Sequence, residues 1–200
     1  MSPSEPRPTL FLIAGPNGAG KTTFYETVLR PRIAAPFVNA DIIQRDDLED
    51  ASVEASYKAA EIAAKRRSEY IAAGQSFVTE TVFSHPSKLE LLVAAKRAGF
   101  RVIVFHLHVS SADLSVARVE ARVEEGGHPV PEKKVRERYA RNPSLIRQAA
   151  LMADQAAVYD ASALNEAPKR LMLLVGGRVE QFAAQLPEWF EAMYGDFMDD

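Results

Sequence analysis

The sequence contains no cysteine, only one tryptophan and no apolar run long enough to cross a membrane. Without cysteine the protein forms neither disulfides nor thiolate metal sites, which is compatible with a reducing compartment. The longest apolar run, at 102–109, is interrupted by His106 and His108 and is shorter than a membrane span. The formal net charge of −3 argues against nucleic acid as the main partner.

The chain length and the N-terminal composition indicate one domain with a short tail. A chain of 200 residues can bury a full core, and no segment resembles a structureless linker. Residues 1–8 contain three prolines and no apolar periodicity, so we expect a flexible tail rather than a signal peptide. Residues 9–200 are then a single domain, and we expect a cytoplasmic protein without membrane attachment.

Strand-like and helix-like segments alternate along the chain. Strand composition occurs at 9–14, 37–39, 77–79, 101–109, 156–159 and 170–175, and a hairpin is expected at 171–182. Helical periodicity occurs at 50–73, 86–98, 111–125, 131–140 and 186–194. This alternation predicts an α/β fold with a mostly parallel sheet flanked by helices.

A phosphate-binding loop follows the first predicted strand. The loop comprises Gly15, Pro16, Asn17, Gly18, Ala19, Gly20, Lys21, Thr22 and Thr23. Glycines let the backbone wrap a phosphate chain, so that successive N–H groups and the positive end of the next helix converge on anionic oxygens. In this pattern Lys21 reaches the β- and γ-phosphates, and the Thr22 hydroxyl binds Mg²⁺. The sequence therefore predicts a P-loop protein that acts on a nucleotide.

Polar residues follow the next two predicted strands, at the edge where open α/β sheets bind ligands. Asn39 and Asp41 come after the second strand, and Asp41 is the candidate base that takes a proton from a substrate hydroxyl. The alternative is that Asp41 caps the helix that begins at Ile42. Glu80 and Thr81 follow the third strand as candidate substrate-binding residues, or they hydrogen-bond their own turn.

An arginine-rich segment at 118–141 has the pattern helix, flexible turn, helix, which is the geometry of a lid. Its candidate catalytic residues are Arg118, Arg122, Arg136 and Arg138. Guanidinium groups on a closing segment can neutralise the charge that develops on a transferring phosphoryl group. The interspersed glutamates offer an alternative, a solvated helix face on which the arginines form ion pairs.

Three histidines are candidate functional residues. His106 and His108 alternate on a predicted strand and face the same side, as a metal-binding pair would. Without a third ligand nearby, a role in the core or at the sheet edge is the better interpretation. His128, beside Gly127 in the predicted turn, is suggestive by its position only.

Taken in order along the chain, these motifs resemble the zeta toxin family. The resemblance is carried by the P-loop run at 14–23, Asn39-Ala40-Asp41, Glu80-Thr81, the run at 118–131 with its Gly-Gly-His turn, and the segment at 159–162. It implies a P-loop kinase that uses Mg-ATP to phosphorylate the 3′-OH of UDP-N-acetylglucosamine, giving a dead-end precursor that interferes with peptidoglycan synthesis.

The resemblance also implies roles for the candidate residues. Lys21 and Thr22 would hold the phosphates and Mg²⁺, and Asp41 would deprotonate the acceptor. Glu80 and Thr81 would contact the substrate, and the γ-phosphate arginines would lie among the four lid candidates. The segment Tyr159-Asp160-Ala161-Ser162 would lie near the adenine pocket, with Ala161 where the shorter family members have Asn.

The sequence also departs from the family pattern. Larger members have a leading helical segment that receives an antitoxin, whereas here only the proline-rich tail precedes the first strand. This argues against an antitoxin partner of that kind, although such a partner is compatible with the family. The alternatives are a P-loop kinase of another small molecule, such as an antibiotic, a sugar or a nucleoside, and a protein-binding ATPase. The ATPase would need a Mg²⁺-binding acid at a strand end, which the fourth strand lacks.

Overall fold

A seven-stranded sheet forms the centre of the protein. The strands are β1 Thr9–Ala14, β2 Phe37–Val38, β3 Phe77–Thr81, β4 Arg101–His108, β5 Gln155–Asp160, β6 Lys169–Val175 and β7 Arg178–Phe182. Their order across the sheet is β2-β3-β1-β4-β5-β6-β7. The first five of these are parallel, and β6 and β7 continue the sheet as an antiparallel hairpin. The predicted α/β class and the mostly parallel sheet are thus confirmed.

The computed structural model describes residues 7–50, 52–124, 127 and 129–198. Residues 1–6 of the predicted tail, and His128 of the predicted turn, lie outside the described residues. The last two residues of the predicted tail are bound to the sheet. Arg7 donates hydrogen bonds to the carbonyls of Gly99 and Phe100, and the Pro8 carbonyl accepts one from Arg101 at the start of β4.

Within the described residues, seven helices flank the sheet. They are α1 Lys21–Phe24, α2 Ala40–Ile42, α3 Val53–Ala72, α4 Ser87–Arg97, α5 Ala112–Glu124, α6 Glu132–Met152 and α7 Glu188–Tyr194. A π-helical segment continues α1 at Tyr25–Leu29 and α2 at Ile43–Leu48, and a 3₁₀ turn at Gly195–Phe197 follows α7. Among the described helices, none combines the length and the apolarity that a bilayer crossing requires.

Helix α6 is longer than the sequence predicts. The expected end at residue 140 is wrong, because the helix continues through Pro143 to Met152. Proline removes one backbone donor and disfavours a helix interior by about 3 kcal/mol. The second half of α6 offsets this cost by burying Ile146, Ala149 and Ala150 against the sheet. Tertiary packing therefore overrides the local stop signal.

Both faces of the sheet are covered by apolar side chains. On one face α3, α4, α6 and α7 pack against β1, β3, β4 and β5, with Phe77, Phe100 and Phe190 fully buried. On the other face Phe24 from α1 and the following Leu29 pack against Ile13 of β1 and its neighbours. Because these strands are parallel, their carboxyl ends lie at one edge of the sheet. Since both faces are covered, that edge is where ligands of such sheets bind.

Candidate active site

The P-loop lies between β1 and α1 and has steric needs that only glycine meets. A Cβ on Gly15 would lie 2.1 Å from the Leu107 carbonyl oxygen of β4. Gly18 has φ +72°, and a Cβ there would also lie 2.9 Å from the Ser115 carbonyl oxygen of α5. Gly20 has the same φ and forms the N-cap of α1. The loop therefore packs closely against β4 at Gly15 and against α5 at Gly18.

A cavity of about 470 Å³ opens over the P-loop at the carboxyl edge of the sheet. It is lined by Asn17, Gly18, Gly20, Lys21, Thr22, Thr23, Asn39, Ala40, Asp41, Ala60, Glu80, Thr81, Val82, Phe83, Ser84, Lys88, Arg118, Arg122 and Arg138. Thus most of the predicted site residues face one space. Gly15, Pro16 and Ala19 of the loop and Arg136 of the predicted lid do not line it.

The ammonium group of Lys21 lies inside the P-loop. The Lys21 side chain is buried, and Nζ donates a hydrogen bond of 3.0 Å to the Pro16 carbonyl oxygen. Burial lowers the pKa of Lys21, and the carboxylates of Glu80 and Asp41 oppose that shift. The charges of Arg122 and Arg138 lower the same pKa further. Two carboxylates and two guanidinium groups of the site therefore act on the protonation of Lys21.

The hydroxyl of Thr22 and the carboxylate of Glu80 meet at the loop. Thr22 Oγ1 donates a hydrogen bond of 2.9 Å to Glu80 Oε2. Burial raises the pKa of Glu80, and Lys21 and the Thr22 hydrogen bond oppose the shift. In the sequence, a Mg²⁺-binding acid is sought only after the fourth strand, where none occurs. In the structure, the acid that meets Thr22 is Glu80 of β3. A hydroxyl and a carboxylate oxygen are hard ligands that suit Mg²⁺.

Asp41 does not cap its helix, so the capping alternative is wrong. Asn39 is the N-cap of α2, and its Oδ1 accepts hydrogen bonds from the backbone N–H groups of Asp41 and Ile42 at 2.7 and 3.3 Å. Within the described residues, the Asp41 carboxylate has neither a hydrogen bond nor an ion pair, and it lines the cavity. Asn39 therefore fixes the backbone, which leaves the Asp41 carboxylate available for chemistry.

The turn after β3 forms another wall of the cavity. Thr81 Oγ1 accepts a hydrogen bond of 3.1 Å from the Phe83 N–H, so Thr81 does hydrogen-bond its own turn as the alternative stated. Phe83 has φ +58°, which is unfavourable for a residue with a bulky side chain. Its buried ring packs in the core and holds the turn, so that Ser84 and Lys88 reach the cavity. Sequence reasoning missed both of these residues.

Arg118 is bound to backbone carbonyls. Its guanidinium donates to the carbonyl oxygens of Ala161, Ser162 and Ala163 at 2.6, 3.0 and 3.0 Å, and to that of Gly18 at 3.3 Å. Ser115, one turn earlier on α5, donates to the Asn17 carbonyl oxygen. The start of α5 is thus fastened both to the P-loop and to the loop after β5. The segment at 159–162, expected near the adenine pocket, is part of this arrangement.

The remaining arginines separate into two groups. Arg136 forms ion pairs with Asp113 and Glu132 at 2.6 and 2.7 Å, as the solvated-face alternative described. Arg122 of α5 and Arg138 of α6 line the cavity, and both charges act on Lys21. Arg118 also lines the cavity, but its guanidinium is bound to backbone carbonyls, so Arg122 and Arg138 remain the candidates for neutralising a transferring phosphoryl group.

His106 and His108 lie in the interior of the protein. His106 Nδ1 is 3.0 Å from the Tyr194 hydroxyl, and His108 Nε2 is 3.2 Å from the Tyr139 hydroxyl. Trp189 of α7 packs against this strand, and its ring centroid is 4.5 Å from that of His108. Within the described residues, no group of three candidate ligands surrounds them. The pair is thus part of the core, which was the preferred interpretation.

The buried histidines predict a loss of stability in mild acid. Burial lowers the pKa of both side chains, and that of His108 falls to about 4 from 6.5. Below pH 6.5 the unfolded chain binds protons that the folded chain excludes, so stability falls until the folded His108 also titrates near pH 4. We expect His108 alone to contribute about 2 kcal/mol of destabilisation between pH 7 and pH 5, measured by urea unfolding.

The matched variant for this prediction is His108→Gln, which retains a hydrogen-bonding group but no titration in this range. Its unfolding free energy should change less between pH 7 and pH 5 than that of the unmodified protein, by the same amount. Equal pH dependence of the two proteins would contradict the assignment.

Comparisons with known proteins agree with this geometry. A family model described as zeta toxin matches residues 1–166. Among curated proteins, an uncharacterized protein of Haemophilus influenzae is 33% identical over 63 residues, which are 32% of this chain and 45% of the relative. The chain therefore matches less than half of that relative.

Solved structures share the fold at low sequence identity. The AvrRxo1-ORF1:-ORF2 complex with ATP gives a TM-score of 0.70 at 16% identity, over 94% of this chain and 64% of that chain. The PezAT chromosomal toxin-antitoxin system of Streptococcus pneumoniae gives 0.62 at 16% identity, over 98% and 87%. The chain spans less than two thirds of the AvrRxo1 chain. These similarities show a zeta-toxin-like P-loop kinase fold.

Proposed function

The chain belongs to the zeta toxin family, and we propose that it transfers the γ-phosphoryl group of ATP to a sugar hydroxyl of a nucleotide sugar. The acceptor in this proposal is the 3′-OH of UDP-N-acetylglucosamine. One observation carries the proposal: the Asp41 carboxylate, without a hydrogen bond among the described residues, shares one cavity with Lys21, Arg122 and Arg138. A base and cations that flank one space are what phosphoryl transfer to a hydroxyl requires.

ATP is the proposed phosphoryl donor. The P-loop offers backbone N–H groups and the start of α1, where a polyphosphate binds. The AvrRxo1 complex, which shares the fold, was solved with ATP, and this supports the same donor here. Lys21 would leave the Pro16 carbonyl to contact the phosphates, and the loop after β5 held by Arg118 would adjoin the nucleotide.

Mg²⁺ is the proposed metal ion. Thr22 and Glu80 would hold it, and it would neutralise charge on the phosphate oxygens. Since no group of three candidate ligand side chains occurs among the described residues, phosphate oxygens and water would complete the coordination shell.

The proposed chemistry is an in-line displacement. Asp41 accepts the proton of the acceptor hydroxyl, whose oxygen forms a bond to the γ-phosphorus as the bond to the bridging oxygen of ADP breaks. Arg122 and Arg138 neutralise the charge that accumulates on the equatorial oxygens. Glu80 and Thr81, on the neighbouring strand, contact the sugar. Catalysis then rests on positioning and charge neutralisation rather than on a covalent intermediate.

A product assay tests the function. Purified protein is incubated with Mg-ATP and a panel of UDP-sugars, simple sugars, nucleosides and aminoglycosides, and products are followed by mass spectrometry. We expect a mass gain of one phosphate on UDP-N-acetylglucosamine, absent with Lys21→Ala. Transfer to another acceptor would replace the proposed sugar, and ATP hydrolysis without transfer would favour the ATPase alternative.

A protein partner is a further proposal. The AvrRxo1 and PezAT structures both come from two-protein systems, one of them named as a toxin and its antitoxin. This supports an antitoxin partner for this chain. Co-purification with the product of a neighbouring gene, and relief of growth arrest by its co-expression, would test the proposal.

A further inference from the structure

Two neighbouring basic side chains lie at a part of the cavity that the proposed chemistry does not use, Lys88 in its lining and Arg67 outside it. Lys88 projects from the first turn of α4 and lines the cavity. Arg67 of α3 acts on Lys88 through its charge, and it lies seven residues after the cavity-lining Ala60, on the same helix face. Both side chains are partly buried. Neither was singled out from the sequence, because helix periodicity alone marks them only as surface residues.

Among the residues that the structure describes, the two cations have no anionic partner. Within the described residues, neither the Lys88 ammonium nor the Arg67 guanidinium has a side-chain hydrogen bond or an ion pair. By contrast, the adjacent Arg66 pairs with Asp47 at 2.6 Å. Burial and the charge of Arg67 together lower the pKa of Lys88. Two like charges that are partly buried without a counter-charge are unfavourable, and an anionic ligand would remove that cost.

The electrostatic neighbours of Lys88 differ from those of Lys21. The charges that act on Lys21 are those of Glu80, Asp41, Arg122 and Arg138, whereas within the described part of the chain the charge that acts on Lys88 is that of Arg67. Both carboxylates that line the cavity, Asp41 and Glu80, act on Lys21, and Lys88 has no counter-charge among the described residues. Because Asp41 and Lys88 line the same cavity, a molecule whose hydroxyl lies at Asp41 can extend towards Lys88.

We propose that Lys88, with Arg67 beside it, forms an anion-binding subsite that holds a phosphate group of the acceptor. This inference rests on the proposed function, because it assumes that the acceptor hydroxyl lies at Asp41. It deepens that function by naming what selects the acceptor. A sugar that carries a phosphate or a diphosphate satisfies both Asp41 and Lys88, whereas a neutral sugar or a cationic antibiotic leaves the pair unpaired.

Binding measurements test the subsite apart from turnover. The protein is saturated with Mg²⁺ and a non-hydrolysable ATP analogue, so that the P-loop is occupied, and is titrated calorimetrically with UDP-N-acetylglucosamine or with uncharged N-acetylglucosamine. We expect the charged probe to bind more tightly, and Lys88→Gln to weaken its binding by at least about tenfold, with a smaller effect for Arg67→Gln. Binding of the uncharged probe should not change with either variant.

Lys65→Gln is the matched control, because Lys65 is an exposed lysine of α3 that does not line the cavity. It should bind both probes as the unmodified protein does. Equal affinity of the unmodified protein and Lys88→Gln for the charged probe would overturn the subsite.

The two proposals fail in different ways. Phosphorylation of UDP-N-acetylglucosamine with an unchanged KM in Lys88→Gln would retain the function and reject the subsite. If another phosphate-bearing acceptor is the substrate and its KM rises in Lys88→Gln, the subsite stands and the proposed sugar is wrong.

Discussion

Replacing Asp41 with Asn should reduce phosphoryl transfer by about 10²- to 10⁴-fold, the range expected for removal of a general base. The amide has nearly the same shape, so the effect is electrostatic: it cannot take the proton of the attacking hydroxyl. The affinity for ATP should change by less than about threefold, because Asp41 lies after β2, outside the P-loop. Single-turnover product formation and titration with a fluorescent ATP analogue measure the two effects separately.

The control is Asp46→Asn, which changes an exposed carboxylate in the helical segment after α2 that pairs with Arg45. It should leave turnover within about twofold of the unmodified value. Near-normal turnover of Asp41→Asn would reject the base assignment. Helix capping could not then explain the residue, since Asn39 Oδ1 holds the cap.

The sequence predicted the sheet, and the candidate site lies at the edge that it indicated. Short apolar runs and glycine-rich turns are local signals, and the P-loop pattern specifies its own strand, turn and helix. From these the convergence of Asp41 and Glu80 on the P-loop follows, because parallel strands end at one edge. The strand containing Glu80 extends to Thr81 rather than ending at residue 79, a shift that local patterns do not resolve.

The contacts within the site could not be predicted, because they are tertiary. The bond between Thr22 and Glu80 joins residues 58 positions apart, and the bonds of Arg118 reach a loop more than 40 positions away. Spacing on a helix does not distinguish an arginine that lines a cavity from one that pairs with a neighbour. The sequence therefore offered four lid arginines as equals, although Arg136 faces Asp113 and Glu132.

Arginines that line the cavity and the arginine that forms surface ion pairs should affect kcat differently, although the sequence does not distinguish them. Arg122→Ala and Arg138→Ala should each lower kcat by about 10²- to 10³-fold, the cost of removing a group that stabilises transition-state charge. Both side chains line the cavity, and both act electrostatically on Lys21. The KM for the acceptor should change much less than kcat, because the developing charge is absent in the ground state.

Arg136→Ala is the matched control from the same helix as Arg138. Its exposed ion pairs contribute little, so we expect kcat within about threefold of the unmodified value. Arg118→Ala should behave differently from both, since it removes four hydrogen bonds to carbonyl groups and should lower the melting temperature together with activity. If Arg136→Ala instead lost as much kcat as Arg138→Ala while remaining folded, the assignment of the phosphoryl-neutralising pair would be wrong. The lid would then have to rotate on closing, so that Arg136 exchanges Asp113 and Glu132 for the nucleotide.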